Sequence, residues 1–289
     1  MRVRQGTAVS RDGTSIAYRV IGDGRPLFCC NGLGVSPYFW RHLVRHFGND
    51  YQIILWECRG HGKSGVPPNP MHLRYEDIVD DGLAVLTALD ARGAVGIGHS
   101  AGFQILCGLQ AKARARFAAL ISFLGTAGNA LRFFFDSPMS RVCFDLFYLL
   151  AILYPHRVRF LLNLMIHSPL PYPLAGALHI LTPGLADRND LAEYLTYVQE
   201  MDPRFFATLT QGAEAHSAFP LLRKIRVPTL LIAGECDRFV PLRVARHMHD
   251  IIPKSELFVV TKGTHFGLME VPDVFNLRLE QFLARHKLL

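Results

Sequence analysis

The stretch Gly98-His99-Ser100-Ala101-Gly102 follows the apolar run 94–97 and precedes the helix-favouring segment 103–106. A turn between a strand and a helix can push a serine out of the fold only if its backbone is strained. Small residues two positions away leave room for the strand and the helix to cross. The first N–H groups of the helix then point at the space beside Ser100. The five-residue pattern is weak by itself, but this context favours a serine nucleophile.

Short apolar runs alternate with segments of helical period along most of the chain. The alternation predicts a mostly parallel sheet covered by helices on both faces, because strands buried on both faces are apolar throughout. An Asp-Gly turn at residues 12–13 joins two alternating segments, which predicts an antiparallel opening pair. With that pair the sheet has eight strands, predicted at residues 7–10, 15–21, 27–30, 53–56, 94–97, 117–124, 229–233 and 256–260.

Residues 125–219 interrupt this alternation with proline-punctuated segments that are rich in Phe, Leu, Tyr and Met. We expect a helical cap, inserted after the sixth strand, and a core made of residues 1–124 and 220–289. An insertion between two strands should lie above the strand ends and cover Ser100. Its apolar run 142–154 is too short to span a bilayer. The run favours a helix buried against the main domain, and an exposed surface that takes a lipophilic substrate or touches membrane stays open.

Two later loops supply the partners that a serine nucleophile needs. Asp237 follows the apolar run 229–233, and His265 follows the run 256–260. We assign His265 as the base and Asp237 as the carboxylate that orients it, with Glu235 as a nearby rival. His99 should point away from Ser100 and support the turn rather than act as the base.

Backbone amides are the candidates for an oxyanion hole. The first is that of Ala101, and the second is that of Leu33, in the glycine-flanked loop 31–34 after the third strand. The candidate substrate contacts are aromatic: Phe103, Phe133 and Phe134.

Composition excludes several other classes. The net charge is +7, but the basic residues are scattered, so no nucleic-acid surface is predicted. The six cysteines form no C-x-x-C pair and are interpreted as small buried hydrophobes in a reducing compartment. Residues 1–6 resemble no secretory signal, and we expect a cytoplasmic protein. His42 and His46 have the spacing of metal ligands, but no glutamate lies between them and we predict no metal site.

Five motifs, taken in this order, resemble the α/β-hydrolase family over essentially the whole chain. They are the oxyanion segment 31–34, the loop Glu57-Cys58-Arg59-Gly60-His61-Gly62-Lys63-Ser64, the turn at 98–102, the acid loop with Gly234, Asp237 and Pro241, and the pair Gly263 and His265. Asn31 stands where the family usually has a histidine that braces the oxyanion turn. Glu57 stands where the family usually has aspartate.

The resemblance implies acyl chemistry without a cofactor. Relatives that open epoxides or remove halide use aspartate at the turn, where this chain has Ser100. We therefore expect a small-molecule carboxylic ester or lactone with a lipophilic part as the substrate. The alternatives are an acyltransferase with the same three residues, a C–C bond hydrolase, a non-catalytic ligand-binding relative and a membrane-associated lipase. Phe103 disfavours the C–C hydrolases, which tend to carry glycine after the turn.

Overall fold

The apolar runs form one sheet. The computed structural model describes residues 1–289, except for the side chain of residue 130. The strand order is β1-β2-β4-β3-β5-β6-β7-β8. The pairs β1–β2 and β2–β4 are antiparallel and all other neighbours are parallel, so the predicted mostly parallel eight-stranded sheet is confirmed. The strands of the described residues are β1 (Val3–Val9), β2 (Ser15–Ile21), β3 (Arg25–Cys30), β4 (Tyr51–Trp56), β5 (Ala94–His99), β6 (Phe117–Phe123), β7 (Thr229–Gly234) and β8 (Ser255–Val260).

Alternate residues of a strand point to opposite faces of the sheet. Both faces therefore carry apolar side chains, and helices cover both. Phe28 belongs to the core on one face, and its neighbour Leu27 belongs to the core on the other face. The helices are α1 (Arg41–Phe47), α2 (Tyr75–Ala88), α3 (Gly102–Lys112), α4 (Ala130–Phe133), α5 (Met139–Leu153), α6 (Pro155–Ile166), α7 (Pro171–Ala177), α8 (Arg188–Glu200), α9 (Pro203–Ala215), α10 (Phe219–Leu222), α11 (Leu242–Ile251), α12 (Gly267–Glu270) and α13 (Pro272–Arg285). Helices α2, α3 and α11 pack on the first face, and α1 and α13 pack on the second.

Helices α4 to α9 all lie between β6 and β7 in the chain. Polar contacts hold helix α8 against the segment after β3, the start of α1 and the loop after β4. Asp190 accepts a hydrogen bond from the Tyr38 hydroxyl at 2.9 Å and forms an ion pair with Arg41 at 2.6 Å. The Tyr197 hydroxyl donates to Glu57 at 3.1 Å. The side chain of Glu57, which departs from the family's aspartate, thus links α8 to the loop after β4.

Helix α5 is less buried than its apolar sequence predicts. Phe144 and Ala151 are buried on one face, as expected for a helix packed on the protein. The opposite face carries a stripe of large apolar side chains that are each 52–59% exposed: Met139, Val142, Leu146, Leu149 and Leu153. The interpretation of a buried helix was therefore wrong for this face, because both faces of α5 are apolar and the sequence pattern does not distinguish them.

Within the described part of the chain, no single helix combines the length and the hydropathy needed to cross a membrane. Helices α5 and α6 meet those criteria only as a pair, and they are bent by 118° at their junction.

The cysteines also differ in part from the prediction. Cys29, Cys30, Cys58 and Cys107 are buried, as small hydrophobes should be. Cys143 is exposed on α5, and Cys236 is exposed in the loop after β7. Burial of these two was predicted wrongly, since neither points into a core.

Candidate active site

The turn between β5 and α3 holds Ser100 in a strained backbone conformation. Its φ angle is +53°, in the left-handed region that side chains rarely adopt. The surrounding structure fixes this conformation, since the Ser100 N–H donates to the carbonyl of Phe123 at 3.1 Å. The carbonyl of Ser100 accepts from the N–H groups of Phe103 and Thr126, each at 3.2 Å. The strain expected at this serine is present.

Close backbone approach explains the two flanking glycines. A Cβ atom at Gly98 would lie 2.5 Å from the backbone of Phe103, at the point where the strand and the helix cross. A Cβ atom at Gly102 would overlap the carbonyl oxygen of Cys30, at the end of β3. Both positions therefore need glycine to bring the helix, the serine and the neighbouring loop together.

Three side chains from three loops meet in one hydrogen-bonded chain. The His265 Nε2 atom lies 3.1 Å from Ser100 Oγ, and His265 Nδ1 lies 2.8 Å from Asp237 Oδ2. Asp237 and His265 are buried. An imidazole protonated on Nδ1 would donate to the carboxylate and accept the serine hydroxyl proton on Nε2, which is the geometry of an activated nucleophile.

The backbone holds the carboxylate of Asp237 in place. Its Oδ1 atom accepts hydrogen bonds from the N–H groups of Phe239 and Val240, both at 2.8 Å. Oδ2 is thereby directed at His265. The rival carboxylate, Glu235, instead accepts from the backbone N–H of Lys262 at 2.9 Å on the exposed side of the loop.

His99 lies against the base, a contact that the sequence analysis missed. Its ring centroid is 5.3 Å from that of His265 and 5.7 Å from that of Phe39. Neither ring nitrogen of His99 has a hydrogen-bond partner among the described residues. Burial, with a smaller contribution from His265, lowers the pKa of His99 to about 3. A neutral ring therefore lies beside His265, and it adds no repulsion when His265 gains a proton.

The loop after β3 lies directly beside the serine. A Cβ atom at Gly32 would come within 2.9 Å of Ser100 Cβ. Leu33 and Ala101 both line the cavity next to Ser100. Among the described residues, neither backbone N–H donates to another group of the protein. Two free amides beside a nucleophile are what an oxyanion hole requires.

Asn31 braces this loop in place of the family's usual histidine. Its side-chain oxygen accepts a hydrogen bond from the Trp40 indole, and its side-chain nitrogen donates to the carbonyl of Trp56 at 3.4 Å. Asn31 is buried between these two tryptophans. In this protein an asparagine therefore braces the loop, through hydrogen bonds to Trp40 and Trp56.

A cavity of about 390 Å³ opens beside Ser100 and His265. Its walls are mostly apolar and come from the loop after β3, the inserted helices and the loop before α11. Phe134, one of the predicted substrate contacts, lines it and stacks on Phe239 with ring centroids 4.5 Å apart.

The other two predicted contacts, Phe103 and Phe133, lie elsewhere. Phe103 is fully buried in the core under α3, because it points from the helix toward the sheet. The ring of Phe133 lies under the guanidinium of Arg243, at 5.2 Å, and is not part of the cavity wall. Both assignments were wrong.

Glu214 and Thr210 form a polar patch in the cavity wall, one turn apart on α9. The Glu214 carboxylate accepts from the Leu131 N–H at 2.9 Å, and burial raises its pKa. The sequence analysis missed this patch, because a glutamate near the end of a helix is ordinarily solvated. The one signal that could have indicated it is the apolar composition of the surrounding segment.

Among the described residues, no group of three or more His, Cys, Asp or Glu side chains is arranged so that it could hold a metal ion. His46, one of the pair with metal-ligand spacing, lies 3.2 Å from Glu280.

A mostly parallel sheet, with a strained serine at the turn into a helix, defines the class of α/β hydrolases. The protein belongs to the alpha/beta hydrolase family, whose sequence model matches residues 27–278. It is 27% identical to a protein named "Putative carbamate hydrolase RutD" of Azorhizobium caulinodans, over 90% of this chain and 91% of the relative. It is 24% identical to 3-oxoadipate enol-lactonase 2 of Acinetobacter baylyi, over 94% of each chain. The crystal structure of the esterase RhEst1 from Rhodococcus sp. ECU1013 is similar, with a TM-score of 0.73, 25% identity, and coverage of 98% of this chain and 99% of that one.

Proposed function

We propose that the protein is a serine hydrolase that cleaves a carboxylic ester or lactone with a lipophilic part. The observation that carries this proposal is the hydrogen-bonded chain Ser100–His265–Asp237, which ends at a mostly apolar cavity with two free amides. The relatives support the same class, since enol-lactonase and esterase are both names for enzymes that cleave a bond to a carbonyl carbon. We also propose residues 125–219 as a cap on a core of residues 1–124 and 220–289.

The proposed reaction has two halves. Ser100 Oγ attacks the carbonyl carbon while its proton passes to His265 Nε2, and the amides of Leu33 and Ala101 stabilise the oxyanion. The intermediate collapses to an acyl-enzyme as His265 returns the proton to the leaving alcohol oxygen. Water then gives a proton to His265 and attacks the acyl carbon. The second intermediate collapses as His265 returns that proton to Ser100 Oγ, which releases the acid and regenerates the free enzyme. Asp237 stabilises the imidazolium in both halves.

The cavity supports a lipophilic substrate by its size and lining. A volume of about 390 Å³ suits a small molecule, and most lining side chains are apolar. Glu214 and Thr210 provide hydrogen-bonding groups in the cavity wall.

A series of p-nitrophenyl esters of increasing acyl length tests this proposal. We expect kcat/KM to rise by up to about fourfold for each added CH₂ that is buried, because each is worth about 0.8 kcal/mol. The value should then fall once the chain outgrows the cavity. Phe134→Ala should lower kcat/KM for the preferred length more than for acetate, because Phe134 lines the cavity.

Phe133→Ala is the matched control, since it removes the adjacent phenylalanine outside the cavity wall. It should leave the length profile unchanged. Failure of the wild type to hydrolyse any ester or lactone would refute the proposed function. Equal effects of the two variants would refute the assignment of Phe134 to substrate binding.

Asn31→Ala should weaken both the fold and the reaction. The Trp40 indole N–H would lose its partner in a buried site, at a cost of about 1–3 kcal/mol in the free energy of unfolding. We expect kcat to fall roughly tenfold, less than the loss of an oxyanion donor would cost, because the Leu33 amide loses its brace but is still present. Urea unfolding and ester hydrolysis measure the two effects, with the exposed Asn69→Ala as the control. An unchanged kcat despite lower stability would show that the brace is not needed for the reaction.

A further inference from the structure

The exposed apolar side chains of α5, α6 and α7 form a surface, here called the apolar face, that the proposed chemistry does not explain. On α5 the five exposed residues recur at alternating spacings of three and four, which places them in one stripe along the helix. Helix α6 adds Phe160, Leu161 and Leu164, each more than 60% exposed. Single exposed apolar residues are ordinary, but a face built from neighbouring helices marks an interaction surface.

The apolar face continues into the cavity beside Ser100. Met165 of α6, Leu174 of α7 and Leu178 just after α7 are each at least 40% exposed, and all three also line the cavity wall. A molecule that leaves an apolar phase at this face can therefore reach the cavity along apolar side chains.

The charge around the apolar face is positive. Residues 137–186 contain three arginines and one acidic residue, Asp145. Asp145 is already paired with Arg141 at 2.9 Å. Arg157 lies 5.3 Å from the ring centre of Tyr154 at the bend between α5 and α6. Arginine and tyrosine beside apolar side chains are the combination found at the boundary between lipid headgroups and acyl chains.

We propose that the apolar face docks on the surface of a bilayer that contains anionic lipid, and that the lipophilic substrate enters the cavity from it. A second copy of this chain fits the face less well, because a two-fold contact would bring the same net positive charge, from Arg157 and Arg159, against itself and would cover the cavity opening. Anionic headgroups supply the missing negative charge, and the acyl region supplies the apolar phase. The helices lie on the bilayer and do not span it. The entry route rests on the proposed function, whereas the docking does not.

Vesicle sedimentation tests the docking. The full chain should sediment with phosphatidylcholine vesicles that contain phosphatidylglycerol, and less with vesicles of phosphatidylcholine alone. The triple variant L146Q/L149Q/L153Q should reduce the partition coefficient at least about tenfold, since it removes three exposed leucines that the bilayer would bury. None of the three lines the cavity, so hydrolysis of a water-soluble acetate ester should be unchanged. The same variant should lose activity on a long-chain ester held in vesicles.

The control is V9Q/V66Q/L289Q, which changes three apolar residues outside the inserted helices that are more exposed than the three leucines. It should bind vesicles as the wild type does. Absence of wild-type binding, or equal binding with and without phosphatidylglycerol, would overturn the proposal. So would a triple variant that turns a dimer into a monomer without weaker vesicle binding, because the face would then join two copies. Hydrolysis of the soluble ester is measured separately, so failure to dock is distinguished from failure of the proposed function.

Discussion

Ser100→Ala is expected to lower kcat for ester hydrolysis by about 10⁴- to 10⁶-fold, the range typical of removing a serine nucleophile. The variant removes the Oγ atom that lies 3.1 Å from His265 Nε2 and leaves the free amides and the cavity intact. Without Oγ no acyl-enzyme can form. The residual rate would come from binding and from oxyanion stabilisation alone.

Labelling by a fluorophosphonate supplies an independent measurement, since this reagent forms a stable bond with an activated serine oxygen. The wild type should be labelled at Ser100, and the variant should not be labelled. Ser15→Ala, at an exposed serine of β2, is the control and should keep both activity and labelling. A Ser100→Ala protein that retains more than about a tenth of the activity would exclude Ser100 as the nucleophile. A non-catalytic role would then explain the strained turn better than nucleophilic catalysis does.

The buried strands were predictable because burial leaves a compositional signal. Strands β3 to β8 appear in the sequence as short apolar runs, and each of their predicted bounds lies within two residues of the bound in the structure. The first strand was placed at residues 7–10 but runs over Val3–Val9. As an edge strand it is mostly exposed, and its extent is set by backbone pairing with β2. Pairing of this kind is independent of apolar side chains.

The turn at Ser100 was predictable for a different reason. Its backbone geometry permits only small neighbouring residues, so the glycines in the sequence indicate the turn. No comparable steric requirement decides which residues line the cavity. Phe133 and Phe134 are adjacent and identical in type, yet only Phe134 faces the cavity, because the chain leaves helical geometry after Phe133. Which residue faces the substrate depends on that local change of direction.

His99 illustrates the same limit at short range. Its position next to Ser100 predicts that it points away from the serine, and it takes no part in the hydrogen-bonded chain. Its contact with His265 depends on a loop that lies more than 160 residues later in the sequence, 165 residues after Ser100. Contacts between distant loops follow from the sheet, which brings the carboxyl ends of its parallel strands to one edge.

Asp237→Asn should lower kcat by about 10⁴-fold, because it forces the wrong tautomer on His265. Oδ1 of Asp237 accepts two backbone hydrogen bonds, from Phe239 and Val240, so the oxygen of an asparagine must stay at that position. The new NH₂ group would then face His265 Nδ1, which could only accept. The imidazole proton would move to Nε2 and point at Ser100 Oγ, where a base needs a free lone pair. Steady-state hydrolysis and the rate of fluorophosphonate labelling should fall together, while the thermal midpoint changes little.

Glu235→Gln is the matched control, since it makes the same chemical change two residues away. The Glu235 carboxylate only accepts from the Lys262 N–H at the surface, and a glutamine oxygen can accept the same bond. We expect a change in kcat of less than about threefold, in line with a small surface effect. If Glu235→Gln instead caused the large loss and Asp237→Asn the small one, the orienting carboxylate would be Glu235, and the loop after β7 would have to rearrange to bring it to His265. Because Asp237 is held by two amides and Glu235 is exposed, the structure favours the first result.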